Sequence, residues 1–307
     1  MGYASKALYD KPSVLIGRKG TIGKVKYAER PFWTVDTLFY TIVNTDIVLP
    51  RYLYYVMSLL DLNAYNEGTT IPSLRTETLN RLQFAIPPLD DQAKILSVVL
   101  PLEYKIAVND EINKNLADQS QAIYQQYFVA EANPDWPLGH LSDLIDIKYG
   151  KDHKKLADGT YPVYGSGGIM RYVERPLYEK ESVLIPRKGT LNNVIYVNQP
   201  FWSVDTMFYT EMKQDNVAKF VYHYVKSKDL ASMNAGSAVP SMTTAILNAL
   251  ELPLPSIEAL KHFEISVAPM YEMMQKNEEE SHKLAKLRDA LLPKLMSGEL
   301  DVSKIEL

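Results

Sequence analysis

The feature that most constrains the fold is a long internal repeat. Residues 14–40 and 183–209 are identical at 17 of 27 positions, at a constant offset of 169. Val14-Leu15-Ile16-Gly17-Arg18-Lys19-Gly20-Thr21 recurs as Val183-Leu184-Ile185-Pro186-Arg187-Lys188-Gly189-Thr190, and Pro31-Phe32-Trp33 as Pro200-Phe201-Trp202. One residue then drops out, and at offset 168 Gly68 and Ile71-Pro72-Ser73-Leu74 match Gly236 and Val239-Pro240-Ser241-Met242. A period this long is not a solenoid, whose repeats are far shorter. It describes a duplicated globular unit and the segment that follows each copy. The copies are unequal. Met1 aligns with Met170, so the counterpart of 136–169 is missing and the first unit is expected to be incomplete.

The segment after each unit reads as helix. Ile95, Val99, Leu102, Ile106, Leu116, Ile123 and Tyr127 fall on an alternating 4,3 ladder, with Asn109, Asn113 and Ser120 on its polar rungs. The second copy places Phe263, Val267, Met270, Met274, Leu284, Leu291 and Leu295 on the same spacing, with Asn277, Ser281 and Arg288 between them. Such a ladder is a seam for another helix. Antiparallel pairing of the two would bring Asn109, Leu116, Asn277 and Leu284 to the seam's central region. The competing reading is a pair of ordinary globular helices with these polar rungs in solvent. Pro101 and Pro269 correspond, so each helix is predicted to break or kink there into a short and a long piece.

The globular units read as strands and turns. Ser182–Ile185, Asn193–Val197 and 206–210 have strand composition, Arg187–Thr190 is a turn, and Lys219–Lys226 is a helix. Gly236–Ser241 is a loop, and a short helix after it ends before Pro253. Phe201, Trp202 and Trp33 are expected in the core. Asp36 and Asp205 are expected to tie turns together.

Charge excludes less than the net value of −4 suggests. Residues 90–135 carry −5 and 257–307 carry −3, whereas 1–89 carry +3 and 136–256 carry +1. Acidity is confined to the helical segments, so the globular units can still face a polyanion. With no cysteine in 307 residues, disulfides, thiolate metal sites and cysteine nucleophiles are excluded. His140, His153, His223, His262 and His282 lack ligand spacing, and no metal or cofactor is expected. No apolar run is long enough for a membrane helix and the N-terminus has no signal-peptide core, which fits a cytoplasmic protein.

In order and duplicated spacing, Tyr164-Gly165-Ser166-Gly167-Gly168-Ile169, Val183–Thr190, Trp202-Ser203-Val204-Asp205-Thr206, Pro87-Pro88-Leu89-Asp90-Asp91-Gln92 and Leu287–Leu300 form one pattern. In this the chain resembles the specificity subunits of type I restriction–modification systems over nearly its whole length. It departs where the first recognition domain is incomplete, and where Ser256-Ile257-Glu258-Ala259-Leu260 replaces the acidic-acidic-Gln run. The resemblance implies an α+β fold: two target-recognition domains, the first truncated, joined by two long helices pairing as an antiparallel coiled coil. It implies boundaries of 1–89 and 136–256 for the recognition domains, 90–130 and 257–297 for the helical regions, and 298–307 for a tail. It also implies a non-catalytic subunit that reads double-stranded DNA and carries methyltransferase and restriction subunits.

Arg18-Lys19-Gly20-Thr21 and Arg187-Lys188-Gly189-Thr190 are the best DNA-contact candidates. Arginine can pair bidentately with guanine or phosphate, lysine supplies a point charge, and glycine admits a close backbone approach. On the residues alone, a solvated basic hairpin explains them equally well; the resemblance favours a DNA-facing turn that holds phosphates. Tyr164-Gly165-Ser166-Gly167 reads first as a tight turn, and could lie along DNA with Tyr164 or Ser166 at a base edge. It is not a phosphate loop, since no Gly-Lys-Ser/Thr closes it. Asn133-Pro134-Asp135-Trp136 reads as a linker and Glu278-Glu279-Glu280 as a solvated helix face. The rival function is a coiled-coil assembly protein or silent-cassette product that no longer reads DNA and self-associates through its truncated domain.

Overall fold

The computed structural model describes residues 4–233 and 241–305. The chain forms two compact units, one of Met1–Glu111 with Lys276–Leu307 and the other of Ile112–Gln275. The loop expected from Gly236 lies, as far as Pro240, outside the described residues.

The first unit holds β1 (Ser13–Gly17), β2 (Val25–Ala28) and β3 (Leu38–Tyr40) in an antiparallel sheet of order β2-β1-β3. Helix α1 (Pro50–Ser58) follows, with proline at its first turn, where a missing N–H costs nothing. Val14, Ile16, Ile22, Met57, Leu62 and Leu74 make the core on one side of the sheet. After α2 (Thr76–Asn80) comes α3 (Leu89–Gln125). Its start is pinned by the buried Gln92, whose amide donates to the Ile47 and Pro87 carbonyls while its oxygen accepts from the Leu49 N–H. All of the side-chain amide's main demands are met, which is what makes its burial tolerable.

The second unit has the same framework with more around it. It comprises β4 (Leu138–His140), α4 (Leu141–Leu144), β5 (Ile145–Tyr149), β6 (Asp158–Gly165), β7 (Gly168–Val173), β8 (Ser182–Pro186), β9 (Ile195–Val197), β10 (Trp202–Ser203) and β11 (Met207–Met212). These are followed by α5 (Ala218–Lys226), α6 (Thr244–Asn248), β12 (Glu251–Pro253) and α7 (Ile257–Met296). The main sheet has order β5-β11-β8-β9, a second has order β10-β6-β7, and β12 pairs with β4. Side chains alternate across a strand. Val183 and Ile185 of β8 therefore join the cluster with Phe208, Phe220 and Val221, while Leu184 joins Val163, Tyr164, Phe201 and Trp202.

The repeat extends to single hydrogen bonds. The Ser13 hydroxyl donates to the Thr41 carbonyl and the Val14 N–H to the Thr41 hydroxyl; Ser182, Thr210 and Val183 do the same in the second unit. The copies part at the second face of the sheet. In the second unit β10 runs parallel to β6, Trp202 opposite Val163. In the first unit, among the described residues, nothing corresponds to β6 and β7. Trp33 is 59% exposed against 7% for Trp202, and Val35 58% against 5% for Val204. The expectation that Trp33 lies in the core is therefore wrong. Its aromatic neighbours follow the repeat, but the strand that would bury it does not stand beside it.

The two long helices pair antiparallel, as the 4,3 ladder predicts. Within the first unit, Ile95, Leu96 and Val99 of α3 share a cluster with Leu292 and Leu295 of α7. Within the second, Tyr124 and Phe128 pack with Phe263 and Val267. Every rung of both ladders, polar ones included, is buried or half-buried. Asn109 Nδ2 donates to the Asn277 carbonyl at 3.3 Å and to Ser281 Oγ at 3.2 Å. Asn113 Nδ2 donates to the Met274 carbonyl at 3.0 Å. The polar rungs are thus seam residues and not solvent groups. Glu280 is not simply solvated either: it accepts from Asn109 Nδ2 at 2.8 Å and lies 3.2 Å from Lys105 Nζ.

The predicted break at the prolines is not found. Helix α3 runs through Pro101 and α7 through Pro269. Both prolines are exposed, so the carbonyl each leaves without a donor can be hydrated. Packing along the seam outweighs the loss of one helical hydrogen bond.

Candidate nucleic-acid interface

The basic turns are built alike. In the second unit, the Arg187 N–H donates to the Thr206 carbonyl at 2.8 Å, and the Met242 N–H donates to the Arg187 carbonyl at 2.9 Å. In the first, the Arg18 N–H donates to the Thr37 carbonyl at 2.8 Å and the Leu74 N–H to the Arg18 carbonyl at 2.9 Å. Lys19 bridges to Ser73 as Lys188 bridges to Ser241. The repeated Ser73-Leu74 and Ser241-Met242 pairs are therefore the clamps of these turns. Gly20 and Gly189 take φ of +81° and +87°, a left-handed conformation that side chains disfavour. That conformation swings the chain back and leaves Lys19, Thr21, Lys188 and Thr190 exposed.

Each arginine is held. An Arg187 Nη donates to the Asp205 carbonyl at 3.3 Å and its guanidinium lies 5.4 Å from the centre of the Tyr149 ring. Arg18 makes the same bond to the Asp36 carbonyl at 3.3 Å and lies 5.7 Å from the Phe39 ring. The expected turn-tying role of Asp36 and Asp205 thus comes from their backbone carbonyls. A guanidinium with one N–H committed and its plane against an aromatic ring still has donors free for phosphate or guanine.

The glycine-rich hairpin splits in two. Tyr164 and Gly165 are buried, the Tyr164 ring edge-on to Phe201. The suggestion that Tyr164 reaches a base edge is corrected: the end of β6 is buried on consecutive residues, its register on β7 shifts between Val163 and Tyr164, and Tyr164 joins Val163 in the cluster around Phe201 and Trp202. Ser166 and Gly167 lie at the surface and belong with the basic turn. Asn193 donates to the Ser166 carbonyl at 2.7 Å, and a side chain on Gly189 would start 2.7 Å from Ser166 Oγ.

Strand order brings in a loop that the sequence reading missed. Tyr149 of β5 is opposite Phe208 of β11, and Pro186 of β8 is opposite Met207. The chain leaving β5, the chain entering β11 and the chain leaving β8 therefore share one sheet edge. Gly150 donates to the Met207 carbonyl at 3.0 Å and Lys151 to the Ser203 carbonyl at 2.8 Å, which sets Lys151-Asp152-His153-Lys154-Lys155 at that edge. The only signal in the sequence was three lysines in five residues, which alone says solvated loop.

The second unit also holds a buried polar network that the sequence reading missed. His223 Nδ1 is 2.8 Å from Gln121 Oε1 and Nε2 is 2.9 Å from the Tyr271 hydroxyl. Burial, with a smaller contribution from Lys226, lowers the His223 pKa to about 3. The ring is therefore neutral, with Nδ1–H donating to Gln121 and Nε2 accepting from Tyr271. This network braces the core, with His223 and Tyr271 buried in it. Among the described residues no group of His, Asp and Glu could hold a metal ion, and no helix is long and apolar enough to cross a membrane.

Comparison with known proteins agrees with this architecture. The chain is 22% identical to the MjaIX type I restriction enzyme specificity subunit of Methanocaldococcus jannaschii, over 98% of this chain and 80% of that one. It is 21% identical to the HindI specificity subunit of Haemophilus influenzae, over 87% and 81%. The crystal structure of the type I restriction–modification S subunit from M. genitalium has the same fold, with a TM-score of 0.64 at 19% identity, covering 96% of this chain and 85% of that one. These relatives are specificity subunits by name, in keeping with the expected non-catalytic role. The model of the type I restriction modification DNA specificity domain matches residues 1–117 and 133–277, and the chain belongs to that family.

Proposed function

We propose that the chain is the DNA-reading subunit of a type I restriction–modification complex, with 136–256 and 1–89 as its recognition domains. The observation that carries this reading is the duplicated basic turn: two Arg-Lys-Gly-Thr segments clamped by equivalent hydrogen bonds, each presenting its cations on a left-handed glycine. Such turns suit phosphate oxygens, and the serine–glycine turn beside Gly189 widens the surface. Helical regions 90–130 and 257–297 would carry the methyltransferase subunits and fix the spacing of the two recognition elements, with the restriction subunits joining the assembled complex.

The double variant Arg187→Ala/Lys188→Ala tests this. Removing two phosphate contacts lowers the slope of log K against log salt by roughly 0.9 per contact on duplex DNA, and weakens binding alike across sequences. An unchanged slope means the turn does not face DNA.

A second reading rests on the uncovered Trp33 and Val35 face. A chain that reads no DNA and self-associates through the first unit would hide this surface. Sedimentation across concentration, with and without duplex, separates the two: this reading needs a dimer that Trp33→Ser abolishes and no salt-sensitive DNA binding.

A further inference from the structure

Resting on the DNA reading above, we propose that the loop Lys151-Asp152-His153-Lys154-Lys155 is a second phosphate-gripping element of the second unit, acting beside the Arg187–Thr190 turn. Three observations meet here. The sheet order β5-β11-β8 puts the two segments at one edge, beside the 203–206 connection. That connection is hydrogen-bonded to both: Ser203 accepts from Lys151, and Thr206 accepts from the backbone of Arg187 and Lys188. The loop is thus anchored to the same stretch of chain that holds the basic turn.

The charges of this sheet are also distributed unevenly. Lys148 lies 3.6 Å from Glu211 and Lys213 lies 3.3 Å from Asp146, so cations along the strands face carboxylates. Lys151, Lys154, Lys155 and Lys188 are exposed and make no salt bridge among the described residues. Asp152, the one acid in the loop, accepts the Lys154 N–H at 3.1 Å and so shapes the turn. Exposed, unneutralised ammonium groups at both sides of one edge form the footprint that a polyanionic backbone requires.

Lysine is a mobile point charge with little geometric demand, and phosphate contacts carry no sequence information. The loop's contribution should therefore be insensitive to base sequence, and a random-sequence duplex is a sufficient probe. The test compares the full chain with Lys151→Gln/Lys154→Gln/Lys155→Gln, titrating the duplex at several salt concentrations. The parent and Arg187→Ala/Lys188→Ala are measured alongside. Lys213→Gln, at the opposite edge of the sheet, serves as control.

The expected result is a salt slope lower by about 2.7, at roughly 0.9 for each of three contacts, with an unchanged melting temperature and an unchanged slope for the control. A triple variant that keeps the parent slope while Arg187→Ala/Lys188→Ala loses its share overturns the loop's role and leaves the DNA reading standing. A parent with no salt-dependent binding removes both.

Discussion

Trp33 and Trp202 hold the same place in the repeat, yet Trp202 donates its indole N–H to the Lys151 carbonyl in a packed core while Trp33 stands at the surface. Both follow a proline–phenylalanine pair, and both sit next to an isolated bridge, Tyr9 to Phe32 and Tyr178 to Phe201. The difference is what lies opposite. Trp202 faces β6; Trp33 has no such strand among the described residues.

Replacing each by alanine should therefore give opposite outcomes. Trp202→Ala removes a large buried ring and its hydrogen bond, and should cost about 3–5 kcal/mol. Trp33→Ala should change stability by no more than about 0.5 kcal/mol. Urea melts of the two variants decide it. Equal losses would mean that Trp33 is buried in solution, for example against another chain.

Local pattern made the seam legible: a 4,3 ladder needs no knowledge of tertiary structure, and every rung from Ile95 to Tyr127 is at least half-buried. Strands β8, β9 and β11, the Arg187–Thr190 turn between β8 and β9, and α5 followed from composition in the same way. Proline misled, because Pro101 and Pro269 were judged by local propensity while long-range packing decides whether a helix continues. The environment of Trp33 was misread because burial depends on a strand distant in sequence. Gln92 and His223 were illegible for a related reason: their partners, the Ile47 carbonyl and Tyr271, lie 45 and 48 residues away. At the candidate interface the turns could be read from sequence, but the lysine loop became a candidate only once strand order set it beside Arg187.

His223 gives the second unit a pH-dependent stability. Its folded-state pKa is depressed to about 3 from an ordinary value of 6.5. Between these values the unfolded chain binds a proton that the folded chain does not. Stability from this group is therefore complete above pH 6.5 and falls as pH drops, by up to about 1.4 kcal/mol per pH unit. His223→Gln, which can still meet Gln121, should flatten the slope of unfolding free energy between pH 4 and 6.5. A variant with the parent's full slope would place the titration elsewhere.

Lys219 and Arg51 stand at equivalent positions, each against an equivalent tyrosine ring: Lys219 Nζ is 5.2 Å from the centre of Tyr196 and the Arg51 guanidinium 4.6 Å from that of Tyr27. Lys219 is buried and lies 3.1 Å from Glu181 and 2.6 Å from Glu264. Lys219→Met keeps the stem and strands two carboxylates. A fully buried pair broken this way costs about 3–5 kcal/mol; because both glutamates retain some solvent, about 2 kcal/mol is expected. Adding Glu181→Gln and Glu264→Gln should recover most of it. If the triple variant is no more stable than Lys219→Met, packing of the lysine stem and not its charge is what matters.

Asn109 and Asn277 test what the polar layer of the seam does. Asn109 is fully buried, and its Nδ2 has three acceptors within reach: Glu280 Oε2, Ser281 Oγ and the Asn277 carbonyl. Its Oδ1 is buried without a hydrogen-bond partner. An orphaned buried acceptor costs about 1–3 kcal/mol, and replacing polar groups by apolar ones of similar shape can remove that cost. A polar pair at a helical seam survives such a penalty when it excludes slipped registers, since any other alignment buries the amide against apolar rungs. Asn109→Leu/Asn277→Leu should therefore raise the melting temperature by a few degrees while loosening the register of α3 on α7. In the proposed complex, looser register means methylation of targets whose half-sites are spaced one base pair wider or narrower. The paired measurement is a thermal melt beside methylation of a spacer series. A lower melting temperature with unchanged spacer preference would show that the hydrogen bonds from Asn109 outweigh its orphaned oxygen and that register is fixed by the apolar rungs alone.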